Sequence, residues 1–423
     1  MGIGRKKIPS EWTIKPLEEV VEKIIDYRGK TPKKLGGDWS IHGEYRALSA
    51  KSVKTGGLVN EDQVKRVDED LYQKWMKDEV QRDDILLTSE APMGEVLIWE
   101  SDEKIVLSQR LFAIRAKEEV SPKYLYYFFT SRYFQAELTG RQSGSTVSGI
   151  RQTELVRTKI ILPEKKEQDA IASALSIYDD KANLLMEQNR TLEKIAQTLF
   201  KSWFIDYNFP DDNGDPYMKS GGKFKLVDGA SVPANWEFGK LGDIATNIRK
   251  GVNASDISSD FNYIGLEHMP RKSIAILDWG SGEGVASNKF EFKTGDILFG
   301  KLRPYFHKVG IAPIDGVCST DILVVNQIEP EDYGQVLCTL CSESFVRYTT
   351  ITSQGTRMPR TDWNVMSDYA VPLPPQHIAS SFTDIVKEIA NKIHLNVQEI
   401  RNLEAVKESL LPKLMSGEVR VSV

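Results

Sequence analysis

Apolar residues recur at alternating spacings of four and three along residues 164–205, EKKEQDAIASALSIYDDKANLLMEQNRTLEKIAQTLFKSWFI. The positions reached are Ile171, Leu175, Tyr178, Ala182, Leu185, Asn189, Leu192, Ala196, Leu199 and Trp203, and nine of the ten are apolar or aromatic. A 3.5-residue period held this long predicts one long helix carrying a coiled-coil seam. No Pro or Gly interrupts it. The pattern returns 211 residues later at Phe382, Val386, Ile389, Ile393, Asn396, Ile400, Leu403, Lys407, Leu410 and Leu414, where eight of ten are apolar. The shared register predicts two long helices packed on each other; the alternative is two amphipathic helices, each packed on its own domain. Each seam carries an Asn, Asn189 and Asn396, and a buried Asn fixes register at some loss of stability.

The repeat extends beyond the helices. IPSEWTIKPLEEV (8–20) returns as VPANWEFGKLGDI (232–244). DDILLTSEAPMGEV (83–96) returns as GDILFGKLRPYFHKV (295–309), and VLSQRLFAI (106–114) as VCSTDILVV (317–325). GSTVSGIRQTELVRTKIILP (144–163) returns as GTRMPRTDWNVMSDYAVPLP (355–374). The chain therefore reads as two copies of one α+β unit, each a globular part followed by a long helix. The expected boundaries are a globular part at 1–163, a helix at 164–205, a linker at 206–231, a second globular part at 232–374, a helix at 375–415 and a tail at 416–423. Short β-rich runs such as IVLSQRLFAIRA dominate the globular parts. Residues 121–138 read as one helix entered through Ser121 and Pro122. Its aromatics Tyr124, Tyr127, Phe128 and Phe134 fit a core better than a base-stacking surface. The second long helix is expected to end near Pro412.

Composition narrows the classes. The chain has 423 residues, enough for two or three domains, with 40% hydrophobic and 27% charged residues. A net charge of −5 excludes a uniformly basic nucleic-acid binder but not local basic faces. Three cysteines give neither an even disulfide framework nor a zinc-spaced set. With no signal-like opening and no long apolar run, the expectation is a cytoplasmic protein without a membrane span.

Catalytic patterns are missing. There is no G-x-x-x-x-G-K-[ST], no dinucleotide or S-adenosylmethionine glycine motif, and no Asn/Asp-Pro-Pro-aromatic site for amino methylation. Pro210-Asp211 resembles the start of a nuclease motif but lacks the Glu-x-Lys strand after it. No catalytic residue, resident cofactor or metal site is expected.

Basic, hydrogen-bonding loops remain, and both copies have them. The first copy offers Arg28, Lys30, Lys33 and Lys34 in YRGKTPKK, then Arg141, Gln142, Ser145, Arg151 and Gln152 in GRQSGSTVSGIRQ. The second offers Lys301, Arg303, Tyr305, His307 and Lys308 in GKLRPYFHK, then Arg357 and Arg360 in SQGTRMPRT. Lys and Arg neutralise phosphates, and Arg, Asn and Gln read base edges. Each loop could instead be an ordinary solvated surface. Their recurrence at matching places, with different side chains, points to two readers on one frame.

Several segments resemble the specificity subunit of type I restriction-modification systems. LFKSWFIDYNFP (199–210) and LLPKLMSGEV (410–419) resemble its helix endings, and GSTVSGIRQTEL (144–155) and DPYMKSGGKF (215–224) its domain borders. The resemblance implies two target recognition domains joined by two antiparallel coiled-coil spacer helices with an internal pseudo-twofold. It implies that each domain binds one half of a split double-stranded DNA target. It also implies docking of two modification subunits, which bind S-adenosylmethionine and methylate adenine, and of two restriction subunits that use ATP and Mg. The competing class is a duplicated protein–protein scaffold, which leaves the basic loops unexplained; a fused stand-alone methyltransferase-nuclease lacks its motifs. From Ile171 to Trp203 a helix would span about 48 Å, on the order of 14 bp of duplex.

Overall fold

A computed structural model describes residues 8–144, 148–211, 213–227 and 230–421. The fold is α+β, and the sequence repeat becomes a repeat of elements. In the first copy an antiparallel four-stranded sheet runs in the order Val21–Asp26, Leu111–Ala116, Ile85–Thr88, Val96–Ile98. In the second the order is Ala245–Ile248, Ile322–Gln327, Ile297–Gly300, Val309–Ile311. A smaller sheet accompanies each: three strands around Tyr45–Leu48 in the first, five around Gly316–Cys318 in the second. The central strands are continuous apolar runs, as ILLT at 85–88 and ILFG at 297–300, because both faces are covered.

The stretch 121–138 is not one helix but two, Pro122–Thr130 and Arg132–Arg141. Ser131 makes the break. Its Oγ donates to the Phe128 carbonyl at 2.6 Å and accepts from the Phe134 amide at 3.4 Å, closing one helix and opening the next. Ser342 does the same in the second copy, between Tyr333–Leu340 and Glu343–Ile351. Tyr124, Tyr127, Phe128 and Phe134 are buried and so belong to the core.

The long helices run over Lys165–Phe200, continued by a wider turn at Lys201–Ile205, and over Gln376–Met415. The second ends near Pro412, as expected, with Pro412 inside its last turn. Proline removes one amide donor, and this one lies on an exposed face in the last turn, where Leu414 and Met415 anchor the chain in a core.

Contacts divide the chain into two compact units, residues 1–180 with 404–423 and residues 181–403. In the first unit Ile171, Leu175, Leu414 and Met415 share a core with the four-stranded sheet and the aromatic helices. The seam position Lys407 extends its ammonium to the Asp179 carboxylate, which also accepts from the Tyr127 hydroxyl at 2.8 Å. In the second unit Leu185 packs with Ile400, and Phe382 meets Trp203 and Phe204 at ring separations of 5.6 and 4.8 Å. Within each unit the partners' numbers run in opposite senses, so the two helical segments are antiparallel. Val386, Ile389 and Ile393 are buried in the second unit's core, while Tyr178, Leu192, Leu199, Leu403 and Leu410 are half-buried.

Candidate nucleic-acid interface

In each copy the same pair of isolated bridges fastens one loop expected to read DNA, 140–152 in the first and 353–361 in the second, to the segment that follows a central strand; in the first copy that segment holds Glu90 and is not the expected loop 27–34. In the first, Gly149 bridges both Ser143 and Glu90. In the second, Arg360 bridges both Gln354 and Leu302. Strand ends and loops thus converge at one end of the central strands of each four-stranded sheet. The turn after Ile297–Gly300 is set by two left-handed residues, Arg303 (φ 52°) and His307 (φ 51°), with a short helical turn Pro304–Phe306 between them.

In the second copy Lys301 and Arg303 sit on this junction. The Arg303 amide donates to the Pro359 carbonyl at 2.7 Å, and the Thr361 amide donates to the Lys301 carbonyl at 3.1 Å. The Arg303 guanidinium reaches the Arg357 carbonyl at 3.3 Å, yet its buried Nε has no partner. Tyr305 and Arg357 are exposed. Arg360 pairs with Asp321 at 3.0 Å, and that hydrogen bond holds its guanidinium above the usual arginine value. His307 and Lys308 turn inward instead. His307 is buried against the Cys341 carbonyl at 2.9 Å, and burial lowers its imidazole pKa. The Lys308 ammonium is held by the Leu266 carbonyl, with its pKa lowered by burial.

In the first copy Arg28 is also committed. It forks onto Asp26 at 2.8 Å, donates to the Ile150 carbonyl at 3.2 Å and stacks on Phe112 at 4.0 Å. Lys30 lies over the Tyr27 ring and donates to the Trp75 carbonyl, and burial lowers its pKa. Lys33 and Lys34 are exposed on a short helical turn. Arg141 pairs with Glu137 at 3.3 Å, whereas Gln142 and Arg151 are exposed and Gln152 is half-exposed. Ser145 lies outside the described residues.

Sequence reasoning passed over a cleft in the first unit lined by Lys51, Lys54, Lys65, Asn60, Gln63 and Gln109. These residues are scattered over three segments, so no run of basic residues marks them. A separate cleft in the second unit is lined by Asn247, Arg249, Lys301, Thr320, Asp362 and Asn364 beside Trp363. Among the described residues no group of three His, Cys, Asp or Glu side chains is placed to hold a metal ion. No helix among them is long and apolar enough to cross a membrane.

The comparisons with known proteins agree with the segments quoted above. Residues 9–194 match the family model described as type I restriction modification DNA specificity domain. The chain is 27% identical to the type I restriction enzyme MjaIX specificity subunit of Methanocaldococcus jannaschii, over 98% of this chain and 95% of that protein. It is 26% identical to the EcoDI specificity subunit of Escherichia coli, over 71% of this chain and 70% of that protein. The crystal structure of a type I restriction-modification S subunit from M. genitalium shares the fold, with a TM-score of 0.52 at 16% identity over 98% of both chains. The chain is a relative of the specificity subunits of type I restriction-modification systems, the family its segments resemble.

Proposed function

We propose that this chain is the sequence-reading subunit of a type I restriction-modification enzyme. One observation carries the reading. The same loop junction, fastened by the same bridges, presents different guanidinium, amide and ammonium groups in the two copies. A frame repeated with altered reading groups suits a target of two unlike halves. Each globular part takes one half-site of duplex DNA, and the long helices set a gap that no side chain reads. At about 1.5 Å per residue the seam from Ile171 to Trp203 corresponds to a gap of more than one duplex turn. The names of the relatives support a place in a larger enzyme. In this reading two modification subunits bring S-adenosylmethionine and methylate adenine, two restriction subunits bring ATP and Mg, and this chain positions both without catalysing either reaction.

The chemistry available fits binding rather than turnover. Exposed Arg357, Lys33 and Lys34 suit phosphates, while Arg303 and Arg360 are held rigidly enough for base edges. The test is duplex binding over a salt series. Affinity should fall steeply and linearly on a log–log plot as counterions are released. No duplex binding at low salt would return the chain to the class of protein–protein scaffolds.

A further inference from the structure

The strand Leu111–Ala116 is preceded by Arg110, and its repeat Ile322–Gln327 by Asp321. At one and the same place the two copies carry opposite charges. Each charge has a partner. Arg110 Nε lies 2.9 Å from a Glu90 carboxylate oxygen, and Asp321 accepts from Arg360 Nε at 3.0 Å. Glu90 and Arg360 come from the two segments that the bridges fasten together. Each copy therefore sets one guanidinium against one carboxylate at the loop junction, and the copies exchange which strand supplies the cation. The exchange has a steric reason. Gly149 takes the place of Arg360 in the first copy, and a Cβ there would lie 2.9 Å from Glu90 Cβ and 3.0 Å from the Ser89 carbonyl. The first copy has no room for a side chain at that position, so its cation comes from Arg110.

An exposed ion pair alone stabilises little, and two features give this one another use. Arg110 is left-handed, with φ 65°, and is pinned by the Ser89 amide donating to its carbonyl at 2.9 Å. Such a backbone is strained for arginine and persists where its surroundings impose it. The pair also borders the polar clefts. Arg110 itself lines the first, where no acid is among the lining residues, and Thr320, the residue before Asp321, lines the second, together with Lys301 and Asp362.

A guanidinium beside a carboxylate offers paired donors next to an acceptor. The major-groove edge of a G·C pair is its complement: guanine N7 and O6 accept, and cytosine N4 donates. An A·T edge presents acceptor, donor, acceptor and a methyl group, and does not match. We propose that Arg110 with Glu90, and Arg360 with Asp321, each read one G·C base pair of duplex DNA, arginine on guanine and carboxylate on cytosine. This rests on the DNA-reading function proposed above and adds the base pair read.

The test is selection of bound duplexes from a randomised pool by the full chain as purified from its host. The wild type should enrich a split motif with a G·C pair in each half. Arg110→Gln and Glu90→Gln should both relax the same base pair of one half by about tenfold or more and spare the other half. Arg360→Gln and Asp321→Asn should do so in the other half. Arg110→Lys, which keeps the charge without the fork, should also relax it. A motif lacking G·C in either half, or variants that keep wild-type preference or weaken all sequences alike, would overturn this inference alone. Failure of the wild type to enrich any duplex would instead overturn the DNA-reading function.

Discussion

Asn396 donates its side-chain amide to the Asn189 side-chain oxygen at 2.8 Å, with both residues buried between the antiparallel helical segments of the second unit. Asn396 also donates to Gln188 at 2.9 Å, while the Asn189 amide nitrogen has no partner. An apolar seam of this length tolerates sliding by a heptad; a single polar pair penalises every register but one.

Replacing Asn396 alone by Leu should therefore destabilise the protein by about 1–3 kcal/mol, since it leaves Asn189 buried and unsatisfied. Replacing both by Leu should recover that loss or exceed it while weakening register specificity. Thermal unfolding of the three variants checks this. A neutral single substitution would show that the pair does not set the seam.

Glu193 on the first long helix is half-buried against residues 273–274, accepting from Ser273 Oγ at 2.8 Å and from the Ile274 amide at 3.1 Å. Burial raises its pKa above the ordinary 4.5. The sign follows by linkage: the unfolded carboxyl gives up its proton first, so the penalty is absent below about 4.5 and complete above the raised folded value. Glu193→Gln keeps both acceptor contacts and removes the charge. Melting temperature measured from pH 4 to 8 should be higher for the variant at the alkaline end of the series and converge with wild type in acid. A variant less stable than wild type at neutral pH would contradict this.

Arg303 and Arg151 lie in different copies, and their effects should separate. Arg303→Gln should weaken preference within one half of the target and Arg151→Gln within the other, read from variant-specific DNA selection. A uniform loss of affinity from either would mark it as a phosphate contact, worth about one unit of salt slope.

Inserting one heptad into both long helices lengthens each by about 10.5 Å, so the unread gap should grow by about 3 bp. The inserted heptads must pair with each other to keep the seam, which the Asn189–Asn396 contact would otherwise oppose. Mapping the recognised sequence of the insertion variant checks it; an unchanged gap removes the helices as the spacer.

Much of this organisation is legible in the sequence because coiled-coil periodicity and a long repeat are strong signals. The seam positions lie buried or half-buried, and the repeated strands return in the same sheet order. Partner choice was not legible. Aligning the repeats sets Asn189 opposite Ile400, whereas antiparallel packing brings it to Asn396. Composition likewise does not say which basic residues face out. His307 and Lys308 belong to a basic run and yet turn inward, because two left-handed residues reverse the loop. The Arg110–Glu90 and Arg360–Asp321 pairs join residues 20 and 39 positions apart, beyond the reach of any local pattern.

The adenine methylation pattern of the host genome, compared with this gene intact and deleted, tests the central claim most directly. The account predicts that methylation of one split motif with a fixed unread gap disappears on deletion and returns when the gene is restored. Methylation of every motif unchanged on deletion, with the modification subunit demonstrably active, would contradict it.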